Sequence, residues 1–263
     1  MNSIHQALAE LEKNNEVAAL CTVVKSEGST PRHVGSKMLV YSDGKFIGTV
    51  GGGELESRVI KASLESLKSG EAQILSYTMA DPSRGDPGVC GGTVEVFVEP
   101  ILPPATVVVI GGGHVGKAVV YLAKWLGFRV AVSDDRVEFC NPESVPGADA
   151  YYPVPMEALP SQLNVTRQTY LVITSRGSVV DAAGMPNLLD SEAGYIGVIG
   201  SKRRWLTTVK ALKEKGLAEE KIAKVHSPMG LELNAETPEE IAVSIMAEIL
   251  MLRGQGTGKM MKE

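Results

Sequence analysis

An α/β architecture in two parts is predicted: a mixed α/β domain over residues 1–100, then a Rossmann-like parallel-sheet domain over residues 106–263, joined by residues 101–105. Three observations predict it. Thr106–Ile110 is short, β-branched and apolar, as a strand buried on both faces of a parallel sheet must be. Gly111, Gly113 and Gly116 follow in G-x-G-x-x-G spacing, and Val115–Leu126 continues with helical periodicity until Gly127. Phe128–Ser133 then reads as a second strand with Asp134 and Asp135 at its carboxyl end. In such a unit the first glycine permits the tight turn, the second lets a pyrophosphate approach the backbone, and the third lets helix and strand pack closely. The helix N-terminus turns its N–H groups to the anion, and an acid about 20 residues on holds a ribose hydroxyl. Asp134 is the residue predicted for that task. Units of this kind also persist as scaffolds without a bound dinucleotide.

Composition narrows the function classes. The 263 residues suffice for two modest domains, and 44% hydrophobic with 22% charged residues is ordinary for a globular chain. A net charge of −5 gives no support to nucleic-acid binding. No apolar run approaches the roughly 18 residues that cross a bilayer, and the N-terminal stretch has acids where a signal peptide has an unbroken apolar core. A cytoplasmic location without membrane contact is expected. Three distant cysteines, Cys21, Cys90 and Cys140, form neither a C-x-x-C metal site nor a disulfide framework, and no protein-borne metal cluster is predicted.

Along the chain, the N-terminal stretch reads as an amphipathic helix with Ile4, Leu8 and Leu11 on one side, and Val17–Val24 as a buried strand. Lys25–Gly35 is a polar loop; Lys37–Tyr41 and Lys45–Val50 form a hairpin around Asp43-Gly44. Gly51, Gly52 and Gly53 then precede a helix over Glu54–Lys68 with Leu55, Val59, Ala62 and Leu67 inward. A tight strand-to-helix turn needs one or two glycines, so three in a row favour a place where backbone approaches a ligand. Ile74–Thr78 and Thr93–Val98 are strands flanking the loop Met79–Gly92, in which Cys90 sits before Gly91 and Gly92. A lone cysteine is usually a small buried hydrophobe, which suits Cys21 and Cys140, whereas the loop neighbours of Cys90 make it the candidate functional thiol. Pro103-Pro104 marks the linker Glu99–Ala105.

Beyond the glycine loop, Ala150–Val154, Tyr170–Thr174 and Tyr195–Ile199 are strands, and Val179–Leu189 is a helix. Ser201 caps a helix running to Lys215, and Thr237-Pro238-Glu239-Glu240 opens a last helix as a capping box. Ligands of open parallel sheets bind at the carboxyl ends of the strands. Gly111, Gly113, His114, Gly116, Asp134, Ser175, Arg176, Ser201 and Lys202 are therefore expected along one crevice. Lys202 and Arg203 favour an anion there or stand as solvated charges. His226, before Ser227-Pro228, reads as a loop residue. No Ser-His-Asp or paired-carboxylate spacing identifies a catalyst.

Several stretches together resemble the XdhC/CoxI family, accessory proteins of xanthine dehydrogenase and related molybdenum hydroxylases. They are GSTPR (28–32), GGGELE (51–56), CGG (90–92), VIGGGHVG (109–116), VSDDR (132–136), TSRG (174–177), YIGVIGSKRR (195–204) and the run from His226 to Ile249. The resemblance implies binding of the molybdenum cofactor, a phosphate-bearing pterin dithiolene, and its delivery to an apo-molybdenum hydroxylase. For some members it implies a link to the step that supplies the terminal sulfido ligand, so a cysteine desulfurase is a further expected partner, and a homodimer an expected state. Arg32, Gly51, Gly52, Gly53, Glu54, Cys90, Gly91 and Gly92 join the crevice residues as candidate contacts. Two positions depart from the family: Ser178 stands where a histidine is common, and Asn234 where a glycine is usual. The rival expectations are an NAD(P)-dependent oxidoreductase, with Ser175, Arg176 and His226 as its available polar groups, and a module that senses nucleotide occupancy.

Overall fold

The computed structural model describes residues 3–14, 16–78, 87 and 91–262. They divide into two compact units, Met1–Pro103 and Pro104–Glu263.

The first unit runs α1 (Ile4–Asn14), β1 (Ala18–Glu27), β2 (Lys37–Tyr41), β3 (Phe46–Gly48), α2 (Gly53–Ser69), β4 (Gln73–Thr78) and β5 (Thr93–Ile101). Its strands form an antiparallel sheet in the order β3-β2-β1-β5-β4. Strand alternation splits the apolar residues between two faces. Ala19, Cys21 and Val23 of β1 meet Leu55 and Val59 of α2, while Ala18 and Leu20 meet Ala7 and Leu11 of α1. Two strands are longer than their sequences suggest. β1 continues through Lys25, Ser26 and Glu27 because each has a partner on β5, with the register shifting around Val24. β5 continues through Pro100 to Ile101, into the predicted linker. β4 begins opposite Val98, so Pro100 lies outside its span, where one flank of β5 is an edge that tolerates a missing N–H.

The second unit runs β6 (Thr106–Ile110), α3 (His114–Trp125), β7 (Arg129–Ser133), a 3-10 turn at Val137–Phe139, β8 (Ala150–Tyr152), another at Met156–Ser161, β9 (Thr169–Ile173), α4 (Ser178–Leu189), β10 (Tyr195–Val198), α5 (Lys202–Glu214), α6 (Glu219–Ile222), β11 (Val225–His226) and α7 (Pro238–Arg253). All six strands pair in parallel, in the order β11-β10-β9-β6-β7-β8. Counted within the unit this is 3-2-1-4-5-6 read from the other edge, the doubly wound order of dinucleotide-binding sheets. Val107 and Val109 of β6 pack under α3 and α7, and Val108 and Ile110 under α4 and α5. The sequence order therefore reverses between β6 and β9, at their carboxyl ends. The capping box of α7 forms as predicted, through Thr237 and Glu240. His226 is not in a loop: it pairs in β11 with Gly197. Among the described residues no helix is long and apolar enough to cross a membrane.

Candidate functional site

At the reversal point the glycines divide by task. A Cβ on Gly116 would stand 2.0 Å from the Gly111 carbonyl oxygen, and one on Gly112 would stand 1.8 Å from that of Phe139. These two hold helix, loop and neighbouring turn at closer than side-chain distance. Gly113 differs, because nothing lies within 4 Å of its missing Cβ and its φ of −73° suits any residue. It caps α3 without a side-chain hydrogen bond, and the first turn of α3 contains no acid. The free N–H groups and the dipole of α3 thus open beside unfilled space, which suits an anion.

Asp134, predicted as the ribose contact, lines a cleft and is engaged by donors of the protein itself. It is 6% exposed, and its Oδ2 accepts from the Gly112 N–H (3.0 Å) and Arg136 Nη2 (2.9 Å). Its Oδ1 accepts from the Arg136 N–H (3.0 Å) and Nε (2.9 Å). Four donors use the roughly four lone-pair positions of a carboxylate, so a ribose hydroxyl finds none open. Burial pushes the carboxyl upward, yet the Arg136 side chain and the two backbone N–H groups outweigh it and hold Asp134 below the usual carboxylate range. Arg136 lies over the Phe139 ring at 3.9 Å, so the assembly joins the glycine loop, the end of β7 and the following turn. Asp134 is a lock on the loop.

The exposed acid is the next residue. Asp135 Oδ2 accepts from Arg176 Nη2 at 2.6 Å, with both side chains nearly half exposed. This pair borders the same cleft, of about 220 Å³, whose other walls include Val154, Met156, Val179 and Ala183. Ser175, predicted as a ligand contact, lines this cleft, but its hydroxyl is engaged by the protein. Its hydroxyl bonds to Asp181, which is fully buried, and accepts from Arg204 Nη2 at 2.9 Å. Arg204 also reaches Asp181 Oδ2 (2.8 Å) and the Ser175 carbonyl (3.1 Å), tying the end of β9 to α4 and α5. Ser201 caps α5 by accepting from the Arg204 N–H, while Lys202 and His114 remain exposed at the starts of α5 and α3.

The first unit brings its own candidates together. A Cβ on Gly51 would lie 2.9 Å from Pro31 Cγ, and one on Gly92 would lie 2.4 Å from the Ser29 carbonyl oxygen. The 28–32 loop thus touches both the triple-glycine turn and Gly91-Gly92, with Arg32 exposed at its end. Gly51, Gly52 and Gly53 have φ of 152°, 83° and 59°, so backbone conformation alone accounts for all three. Space is open at Gly52 and Gly53, but Glu54 and Glu56 occupy the first turn of α2. Glu54 pairs with Arg58, and Glu56 accepts from the Val50 N–H. Cys90 lies outside the described residues. Asn234 adopts φ 51°, the left-handed backbone a glycine would supply.

Sequence reasoning missed Arg136, Asp181, Arg204, Tyr195 and Glu248 as fixed polar groups. The available signal was a lone acid within an apolar helical run, Asp181 in α4 and Glu248 in α7, which demands a buried partner.

A doubly wound sheet with an open glycine loop, together with a separate antiparallel unit of clustered glycine turns, defines a two-unit protein of nucleotide-fold type. The XdhC Rossmann domain model matches residues 107–249 and the XdhC and CoxI family model matches residues 11–78. The chain belongs to the XdhC/CoxI family. It is 35% identical to the uncharacterized protein YqeB of Escherichia coli, over 99% of this chain and 48% of YqeB, so it spans about half the length of that relative. It is 25% identical to a Bacillus subtilis protein described as a probable subunit of xanthine dehydrogenase, over 96% of this chain and 98% of that protein. Identity to the molybdenum cofactor insertion chaperone PaoD of E. coli is 21%, over 90% and 83%. A crystal structure described as a xanthine dehydrogenase from Bacillus halodurans shares the fold, with a TM-score of 0.50 at 22% identity over 97% of both chains.

Proposed function

We propose that this protein is an accessory factor of a xanthine dehydrogenase-type molybdenum hydroxylase, which binds molybdenum cofactor as cargo and delivers it to the apo-enzyme. The observation that carries the reading is the open position at Gly113, which leads a helix of twelve residues with no side-chain cap and no acid in its first turn. Backbone N–H groups there suit the cargo's phosphate. The turn at Gly51–Gly53 is the weaker phosphate site, because Glu54 and Glu56 set negative charge where the anion would lie. The similarity to PaoD and to the probable xanthine dehydrogenase component of B. subtilis supports the choice of cargo and client. NAD is the poorer occupant, since Asp134 has no lone pair left for a ribose. Cys90, from its sequence context, is the thiol proposed to assist cargo retention.

Gly113→Leu provides the test. Its backbone and surroundings accept a side chain, so the variant folds, while the added group fills the phosphate position. Protein from a molybdopterin-competent host is expected to carry pterin as wild type and to lose it as Gly113→Leu. Equal pterin content in the two would overturn the assignment.

A further inference from the structure

A second polar cluster of the parallel-sheet unit lies outside the glycine loop and the cleft. Glu248 Oε2, on α7, accepts from Tyr195 Oη at 2.6 Å and from the Gly230 N–H at 2.7 Å. His226 Nδ1 lies 2.9 Å from Glu248 Oε1. Tyr195 covers one face of the imidazole, with ring centroids 4.8 Å apart. The Tyr195 side chain folds over Gly197, where a Cβ would stand 2.4 Å from its hydroxyl. Burial acts to raise the Glu248 carboxyl, but the bonds from His226, Tyr195 and Gly230 prevail and hold it low.

An ionised carboxylate has no proton to give, so the bond from His226 requires the proton on Nδ1. Neutral His226 then carries its lone pair on Nε2. Among the described residues Nε2 has no hydrogen-bond partner, and the side chain is 37% exposed whereas Glu248 is 12% exposed. Pinning α7 to the sheet needs only the Nδ1 donor. Nε2 is surplus to that task, and His226 is the last residue of β11, at the sheet edge where open parallel sheets bind ligands. Three strand spacings separate β6 from β11, about 14 Å at the usual 4.8 Å per strand.

We propose that His226 Nε2 is a proton-accepting contact for the ligand of this unit, about 14 Å along the sheet edge from the glycine loop. The ligand there presents an acidic N–H, O–H or S–H group, and this rests on the reading that the glycine loop holds the cargo's other end. Full transfer moves that proton to Nε2, leaving an anion on the ligand and an imidazolium paired with Glu248. The carboxylate–imidazole arrangement fixes the tautomer and the ring orientation.

Two measurements test this. Nitrogen chemical shifts of the His226 ring in the protein alone are expected to show the Nδ1–H tautomer, and a dominant Nε2–H tautomer would overturn the proposal. Binding is then read by fluorescence titration with molybdopterin released from xanthine dehydrogenase. His226→Asn keeps a donor toward Glu248 and is expected to unfold like wild type but bind about tenfold more weakly. His226→Gln, which restores an acceptor near the Nε2 position, is expected to recover most of the loss. Full binding by His226→Asn with none by Gly113→Leu would overturn the histidine contact alone. A wild-type protein that does not bind the pterin would overturn the cargo assignment and this contact together.

Discussion

Replacing Asp134 by asparagine separates a lock on the loop from a ribose anchor. The substitution keeps one acceptor oxygen and puts an NH2 group against donors that now meet Oδ2, from Gly112 and Arg136. A hydrogen bond to a charged group contributes about 1.5–3 kcal/mol. Arg136 is one-third exposed, so water compensates part of its loss, and the net cost is about 2–3 kcal/mol. For a unit of this size that lowers the melting temperature by roughly 5–10 °C. The pH dependence follows from linkage. Asp134 has a depressed carboxyl in the folded state, so its contribution is present above the unfolded value of about 3.9 and is lost as pH falls through the folded value. The gap between wild type and Asp134→Asn should therefore be full near neutrality and close in acid. Thermal unfolding followed by circular dichroism from pH 7 to pH 3 measures it, with calorimetric titration of NAD alongside. An Asp134→Asn variant as stable as wild type at every pH, whose NAD affinity falls, would refute the lock and restore the ribose anchor.

Other consequences are equally specific. Gly116→Ala, unlike Gly113→Leu, forces a methyl to 2.0 Å from the Gly111 carbonyl and should give little soluble protein, which an expression and melting comparison reads. Arg204→Leu leaves the buried Asp181 carboxylate unpaired and should cost about 3–5 kcal/mol, measured by urea unfolding. Asp135→Asn, by contrast, breaks a pair that is nearly half exposed and should change stability by no more than about 1 kcal/mol. Cys90→Ser should leave unfolding unchanged while reducing pterin retention, and equal retention would return Cys90 to a packing role.

How far the sequence can be read depends on whether a feature is local. The β6–glycine loop–α3–β7 succession is legible because each part follows from neighbouring residues: apolar run, turn, helical period, apolar run. The capping box of α7 is legible for the same reason. Pro100 reads as linker, but it lies in a strand because it pairs with Ala19 of β1, a contact made across the sheet. His226 reads as loop because β11 is two residues long and exists through its pairing with β10. The fate of Asp134 turns on Arg136 folding back over it, and that of Ser175 on Arg204, which lies 29 residues away. A position in a motif places both residues correctly at the sheet edge. It does not say whether their polar atoms face a ligand or the protein.

Whether this chain carries a pterin with its phosphate on the α3 glycine loop is read by native mass spectrometry. Protein purified from a molybdopterin-competent host is the sample, with Gly113→Leu prepared in parallel. A bound molybdopterin species is expected on the wild-type chain, and none on a folded Gly113→Leu. A bound dinucleotide without pterin on the wild-type chain, or the same pterin occupancy on both, would show the reading to be wrong.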